Sequence, residues 1–133
     1  MKKGKLEEEL TRMSAIIEHV TRNSMILMNE SFASTNEMEG SAIARQILYA
    51  IRESGIKVFY VTHMFSLAGE LYAANMDGVM FLRAERLHDG RRTFRLIQGE
   101  PLETSYGEDL YRRIFQGDEH RDFTPARRRT LKP

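Results

Sequence analysis

Hydrophobic residues follow two patterns along the chain, a helical repeat and short continuous runs, which predict helices and strands. An early group repeats every three or four residues, which is typical of an amphipathic helix, and comprises Leu6, Leu10, Met13, Ile16, Ile17 and Val20. Two short apolar runs, Ser24–Met28 and Lys57–Thr62, predict buried strands. A second helical group lies between these strands and comprises Ile43, Ile47, Leu48 and Ile51.

The order strand, helix, strand predicts a parallel pair of strands joined by a right-handed crossover. The helix of this crossover begins at Glu37 or Glu39, and Ser54-Gly55 ends it in the manner of a helix C-cap. The sequence therefore predicts an α/β fold whose centre is a parallel strand pair.

The second half of the chain predicts a β-hairpin and a short helix. Two segments, Asn75–Arg86 and Arg91–Gln98, read as strands joined by His88-Asp89-Gly90, and Asp-Gly is a strong hairpin signal. The buried face of this hairpin is predicted to comprise Val79, Phe81, Leu87, Phe94, Leu96 and Ile97. A short amphipathic helix follows, marked by Tyr106, Leu110, Tyr111, Ile114 and Phe115.

Length and composition limit the chain to one modest domain, predicted to span residues 1–116. Of its 133 residues 41% are hydrophobic, which is enough for a core, and the net charge of +1 does not indicate a nucleic-acid binder. The chain contains no Cys, which excludes disulfides and thiol chemistry and fits a reducing compartment. No stretch approaches the ~20 apolar residues of a membrane span, so we expect a cytoplasmic protein without membrane contact.

Residues 117–133 form a separate, basic tail. From His120 to Pro133 there are five Lys or Arg and one acidic residue, with Arg127, Arg128 and Arg129 in a row. A solvated, disordered tail and a contact with DNA both fit this composition.

Candidate chemistry lies where the two central strands end. Asn29-Glu30 follows the first strand directly, and His63 follows the second. The carboxyl ends of parallel strands meet at one edge of the sheet, so these side chains should share a crevice. Both positions have simpler explanations, because strands often end in polar residues and His63 is placed to cap the next helix, Met64–Leu71, or to bond a carbonyl. The other three His lie in charged surroundings and none has metal-ligand spacing.

The arrangement of these segments resembles the ATPase domain of the MutS family of DNA mismatch repair proteins, a branch of the ABC-type ATPases. There, the Walker B strand is followed by a Ser/Thr-rich loop, an acid-Gly pair, a helix and a strand that ends in Thr-His. This chain has Ser31–Asn36, Glu39-Gly40 and Thr62-His63 in that order. A hairpin and a Ser-Tyr-Gly segment, here Ser105-Tyr106-Gly107, complete the pattern from Leu6 to Phe115.

The resemblance implies a role for each polar residue at the strand ends. Glu30 would be the general base or water-orienting residue, and His63 would contact the γ-phosphate of ATP. Asn29 would lie in the Mg²⁺ shell, while Thr35 and Asn36 would lie in the loop that meets the partner subunit. The implied cofactors are ATP and Mg²⁺, and the implied partners are a second subunit in a homodimer and double-stranded DNA, which is bound by domains outside this chain.

Two departures from the family pattern bear on these roles. The chain contains no G-x-x-x-x-G-K-[ST] segment, so the resemblance implies a partial P-loop domain whose N-terminal, P-loop-bearing lobe lies outside it. The family's Walker B strand usually ends in Asp-Glu followed by Gly-rich residues. Here Asn29 replaces the Asp, and an uncharged amide attracts Mg²⁺ less strongly than a carboxylate.

Three functional hypotheses follow. The first is an ATPase-domain fragment in which hydrolysis is coupled to DNA binding by the intact dimer. The second is a non-catalytic interaction module that keeps the fold and dimer surface of that domain. The third, a small α/β enzyme unrelated to ATPases, explains fewer of the motifs.

Overall fold

A computed structural model describes residues 4–117, so residues 1–3 and residues 118–133, which are all but the first residue of the basic tail, lie outside the described part. The described residues form four helices and four strands. In chain order these are α1 (Lys5–His19), β1 (Met25–Asn29), α2 (Glu37–Glu53), β2 (Lys57–Val61), α3 (Phe65–Ala73), β3 (Leu82–Arg86), β4 (Arg92–Gln98) and α4 (Gly107–Phe115).

The predicted parallel strand pair is confirmed. β1 and β2 pair in parallel from Met25 opposite Lys57 to Asn29 opposite Val61, with α2 as the connection between them. α2 begins at Glu37 and ends at Glu53, Ser54 is its C-cap, and Gly55 then adopts a φ of +73°, as the C-cap prediction requires. The α/β class is therefore correct, and the strand ends lie level at one edge of the sheet.

One face of this sheet carries the core. Ile26 and Met28 of β1 are buried, and they pack with α1, α2 and α3 residues in one apolar cluster. The buried helix residues of this cluster are Met13, Ala44, Ile51 and Leu67. Burial of these side chains from three helices on one sheet face is what fixes the layer of helices against β1 and β2.

The opposite face of the sheet is uncovered by any element of the described chain. Its residues alternate with the core positions, as strand geometry requires. Leu27 is 74% exposed and Phe59 47% exposed, with Met25 and Val61 beside them. A contiguous apolar face of this kind is typical of a surface that associates with another protein surface.

We therefore expect the 133-residue chain to self-associate through this face. Sedimentation velocity over a concentration series should show the mean mass rising roughly twofold, as dimerisation requires. Leu27→Lys should reduce this rise, because the charge would lie in the apolar contact. Met38→Lys is the matched control, since Met38 is 83% exposed at the start of α2 and away from the sheet face. A wild-type chain that stays monomeric at every concentration would contradict the expectation.

The hairpin exists, but two details of its prediction are wrong. β3 begins at Leu82 and not at Asn75, because α3 continues to Ala73 and the chain then turns through positive φ at Asn75 and Gly78. The hairpin loop holds Asp89-Gly90, with Leu87 N–H donating to Arg91 O at 2.9 Å.

The predicted buried face of the hairpin is largely exposed. Phe94 is 95% exposed, Leu96 64%, and Val79 and Leu87 37% each. The ladder is irregular near Phe94, which adopts a φ of +60° where the register shifts between Ala84 and Arg86, so strict alternation does not hold at that point. Leu96 pairs regularly with Ala84, and it is exposed because no element among residues 4–117 covers it.

The last helix is held to the hairpin by an ion pair. Arg86 of β3 donates to both carboxylate oxygens of Asp109 on α4, at 2.6 and 2.9 Å. This contact holds the pKa of the Asp109 carboxyl below its usual range. The guanidinium also lies 4.1 Å from the ring centre of Tyr106, which precedes α4 with a φ of +56°. The short amphipathic helix is thus confirmed, although none of its residues is buried.

Within residues 4–117, no helix combines the length and the apolar character needed to cross a bilayer.

Candidate functional site

The two strand ends bring Glu30 and His63 into contact. The N–H of Glu30 donates to Val61 O at 2.8 Å, which extends the sheet by one bond beyond Asn29. Nδ1 of His63 then lies against Oε2 of Glu30. Both side chains stay open to solvent, with 42% of Glu30 and 73% of His63 exposed. A carboxylate and an imidazole therefore share one accessible edge, which is an arrangement suited to holding a water molecule or moving a proton.

Asn29 is the last residue of β1 and lies on the exposed side of the strand. It shares that side with Leu27 and is adjacent in sequence to Glu30. Its amide and the Glu30 carboxylate are the oxygen ligands that this end of β1 offers. The role of Asn29 in a metal shell stays a prediction.

Thr35 and Asn36 cap the start of α2. Oδ1 of Asn36 accepts from the N–H of Glu39 at 2.8 Å, and the Glu39 carboxylate accepts from Thr35 Oγ1 and Asn36 Nδ2 at 3.1 Å each. An N-cap of this type contributes about 1 kcal/mol to helix stability. The contacts give both residues a local structural role, while the predicted meeting of this loop with a partner subunit stays a prediction.

His63 does not cap α3, although its position in the sequence suggested that alternative. The first N–H groups of α3 bond to other side chains. Glu37 accepts from Phe65 N–H at 2.9 Å and from the Ser66 hydroxyl at 3.3 Å, and Thr62 Oγ1 accepts from Met64 N–H at 3.0 Å. His63 is therefore left facing Glu30 at the sheet edge.

The loop after β1 has an unusual backbone. Glu30 and Phe32 have φ values of +55° and +65°, in the left-handed region that non-glycine residues rarely adopt. Phe32 is 1% exposed, so its ring anchors the loop in the core. Glycine adopts positive φ freely, so the Gly-rich residues expected here from the resemblance would suit this backbone. In this chain the burial of the Phe32 ring holds the positive φ conformation instead.

β2 and α2 hold this loop from two sides. The Tyr60 hydroxyl donates to Ser31 O at 2.6 Å. Burial raises the pKa of Tyr60 to about 12, and the negative charges of Glu30 and Glu9 add to the rise. Gly40 of α2 lies so close to the loop that a Cβ atom there would be 2.4 Å from Phe32 O. Glu39-Gly40 is thus an acid-Gly pair in which the glycine is required by packing.

The donor set at the strand ends fits a magnesium–nucleotide complex. Mg²⁺ is bound in such sites by one or two protein oxygens, and water and phosphate supply the other ligands. Asn29 and Glu30 provide an amide and a carboxylate oxygen at one exposed edge. Residues 4–117 contain no group of three or more acidic, His or Cys side chains arranged around a metal position. A metal ion at this edge would therefore take most of its ligands from water or from another bound molecule.

A separate cleft lies between α1 and α2. It has a volume of about 280 Å³ and an apolar lining of Leu10, Met13, Ile17 and Ile47, with Ser14 and Glu18 at its margin. None of the strand-end residues lines it. The Glu30–His63 edge is instead open, so a ligand bound there would need a second surface to enclose it.

Two glutamates outside the predicted set of site residues also shape the site. Glu37 caps α3, as described above, and Glu9 of α1 accepts from the N–H of Phe32 at 2.8 Å. Glu37 gives no sequence signal beyond its place in the first turn of α2. Glu9 does give one, because it lies three residues after Leu6 and four before Met13, at the spacing of the buried stripe.

Comparison with known proteins finds relatives but no matching family model. Over 93 residues the chain is 34% identical to Endonuclease MutS2 of Caldanaerobacter subterraneus subsp. tengcongensis and 36% identical to that of Clostridium beijerinckii. It is 33% identical to Endonuclease MutS2 of Staphylococcus aureus. Each match covers 69% of this chain and 12% of the relative, so the matched part spans about an eighth of the length of these curated relatives. These matches show that the chain belongs to a MutS-related family.

Proposed function

We propose that this chain is the C-terminal part of the ATPase domain of a MutS-like DNA repair protein. In the intact dimer, ATP binding and hydrolysis would be coupled to DNA binding. The observation that carries the proposal is the contact of Glu30 with His63 at adjacent parallel strand ends, in a chain related to MutS2 proteins. The proposal concerns nucleotide hydrolysis and does not extend to the nuclease activity in the relatives' name.

In this proposal each strand-end residue has a separate task. Glu30 accepts a proton from the attacking water or orients it, and His63 contacts the γ-phosphate from the neighbouring strand. Asn29 would contribute its amide oxygen to the shell of a bound Mg²⁺, and the ion would supply positive charge to neutralise the phosphates. The exposure of Glu30 and His63 supports these tasks, because both side chains are accessible to a nucleotide.

The proposed function includes partners outside this chain. A P-loop makes most phosphate contacts in such a domain and these 133 residues contain none, so we propose that a second lobe provides it. The uncovered sheet face of Leu27 and Phe59 supports an association of this kind. Thr35 and Asn36 would contact the second subunit of a homodimer, and double-stranded DNA would be bound by other domains.

A non-catalytic interaction module is the competing function. The same uncovered sheet face favours it, as does Asn29 in place of the family's usual Asp. A module of this type would keep the fold and would bind its partner without using Glu30. The two functions therefore differ in whether substitutions at the strand ends change ATP hydrolysis.

The proposed function is tested by ATP hydrolysis as a function of Mg²⁺ concentration. The longest natural protein that contains this chain should hydrolyse ATP, while the 133-residue chain alone should not, because it has no P-loop. Asn29→Asp should lower the Mg²⁺ concentration needed for half-maximal rate, roughly tenfold, since a carboxylate holds the ion more strongly than an amide.

The control for this experiment is Asp77→Asn, which changes one exposed carboxylate on the loop between α3 and β3. It should leave the Mg²⁺ dependence unchanged. If the longer protein hydrolyses no ATP at any Mg²⁺ concentration, the interaction-module function replaces the proposed one. If the longer protein hydrolyses ATP but Asn29→Asp does not change the Mg²⁺ dependence, Asn29 merely ends a strand.

A further inference from the structure

Glu9 of α1 bonds to the loop that carries Glu30. Its Oε2 accepts a hydrogen bond from the backbone N–H of Phe32 at 2.8 Å, across 23 residues of sequence. Glu7 and Glu8 precede it on the same helix and are exposed, whereas Glu9 is half-buried. Of these three glutamates, Glu9 alone is directed at the sheet edge.

The hydrogen bond holds a backbone conformation that does not persist unaided. Glu30 and Phe32 both have positive φ, and such residues keep this conformation only when surrounding contacts enforce it. Three elements supply these contacts here. Tyr60 on β2 bonds to Ser31, Gly40 on α2 packs against the Phe32 carbonyl, and Glu9 on α1 accepts the Phe32 N–H.

Of the three contacts, that of Glu9 involves a full charge. A hydrogen bond from an N–H to a carboxylate is shorter and stronger than one between neutral groups. Removing the carboxylate would also leave the N–H of a fully buried residue without its acceptor, which is costly. The conformation of the loop at Glu30, two residues away, should therefore depend on the side chain of Glu9.

We propose that Glu9 is a positioning residue that fixes the Glu30–Phe32 loop from α1 and so holds the Glu30 carboxylate against His63. The consequence for catalysis rests on the proposed ATPase function. The structural part does not, because the contact with Phe32 exists whatever reaction the site performs.

Hydrogen–deuterium exchange measured by mass spectrometry tests the structural part in the 133-residue chain. In Glu9→Ala the peptide containing residues 30–34 should exchange about tenfold faster or more, as expected for loss of a charged hydrogen bond. Glu9→Gln should give an intermediate rate, because its amide oxygen accepts a bond without charge. Glu8→Ala is the matched control, since it removes an exposed carboxylate one residue away on the same helix.

Steady-state kinetics test the catalytic part in the longest natural protein that contains the chain. Glu9→Ala should lower kcat for ATP hydrolysis about 10- to 100-fold, the order of effect that misplacing a reacting group produces. KM for ATP should change less than about threefold, since P-loop contacts dominate binding. Glu9→Gln should recover part of kcat, and Glu8→Ala should match the wild type. General destabilisation by Glu9→Ala would also lower the apparent kcat, by reducing the folded fraction, so the melting temperature of each variant is measured beside the kinetics. A lower kcat in a Glu9→Ala protein that is fully folded at the assay temperature assigns the effect to positioning.

The outcomes separate this inference from the proposed function. Unchanged exchange at residues 30–34 in Glu9→Ala overturns the inference regardless of kinetics. If Glu30→Gln slows hydrolysis while Glu9→Ala leaves kcat unchanged, the proposed function stands and the positioning role is overturned. If Glu30→Gln leaves hydrolysis unchanged, the proposed function fails, and the catalytic role assigned to Glu9 fails with it.

Discussion

Gly40→Ala should destabilise the chain by about 2 kcal/mol, although alanine is the better helix former. Placing Ala in a helix in place of Gly ordinarily stabilises it by up to about 1 kcal/mol. At this position the new Cβ would lie 2.4 Å from Phe32 O and 3.3 Å from Met64 Sδ. The carbonyl belongs to a buried backbone and cannot yield without moving the ring of Phe32. Overpacking of this kind costs about 1–3 kcal/mol or more, which outweighs the gain in helix propensity.

Thermal unfolding of the two glycine-to-alanine variants in the helices α2 and α3 measures this effect. Gly40→Ala should lower the melting temperature by roughly 5–10 °C. Gly69→Ala in α3 is the matched control, because its Cβ would meet only the Phe65 ring at 3.4 Å, an ordinary contact distance. That variant should be as stable as the wild type or more so. Equal or greater stability of Gly40→Ala would show that the loop does not pack on α2 as described.

Glu30→Gln should slow ATP hydrolysis about 10²–10⁴-fold in the longest natural protein that contains this chain. This corresponds to roughly 3–5 kcal/mol of activation free energy. Gln keeps the size and a hydrogen-bonding oxygen of Glu30 but cannot take up a proton. The Gln side chain can still contact His63. The loop should keep its positive φ values, because they depend on the packing of Phe32 and not on the charge of Glu30. ATP affinity should therefore stay within about threefold of the wild type, since the P-loop carries most phosphate contacts.

The control substitution for Glu30→Gln is Glu70→Gln. Glu70 is half-exposed on α3, where it pairs with Arg45 of α2, and it has no contact with the strand ends. Loss of one exposed ion pair costs little stability. The control should hydrolyse ATP at the wild-type rate, which would show that removing a negative charge near the sheet is not by itself inhibitory.

The centre of the fold could be predicted because its signals are local. Each strand of the parallel pair is a continuous apolar run, and the spacing of apolar residues in α2 marks its inner face. Glu30 and His63 could be placed together for the same reason, since parallel strands with level ends bring the next residues to one edge. The hydrophobic pattern does not indicate the roles of Glu30 and His63, which were predicted from the resemblance to a family.

The hairpin shows where alternation stops being informative. Phe94 and Leu96 were expected to be buried because they are large and apolar. Both are exposed instead: Phe94 lies where the register is irregular and has a positive φ, and Leu96 pairs regularly with Ala84 on a face that no element of residues 4–117 covers. The local sequence predicts neither the irregularity nor the absence of a covering element among residues 4–117. The spacing of apolar residues identifies the strands of a hairpin. It does not show which face of the hairpin is covered by another part of the protein.

The contacts that shape the site link residues far apart in sequence. Glu9 bonds to Phe32 across 23 residues, and Glu37 caps α3 across 28. Each is one of many charged residues on an amphipathic helix, where most acids simply face water. Only the exact orientation of α1 and α2 on the sheet selects these two for contact, and packing of the whole core determines that orientation.

Single-turnover hydrolysis of labelled ATP tests the central claim most directly. The longest natural protein that contains this chain, as wild type and as Glu30→Gln, would be mixed in excess over ATP with Mg²⁺, and bound and hydrolysed nucleotide would be measured together. We predict equal binding by both proteins and hydrolysis at least about 100-fold slower in Glu30→Gln. Equal rates, under conditions where both proteins bind ATP, would contradict the claim that Glu30 acts on the attacking water and would favour the interaction module.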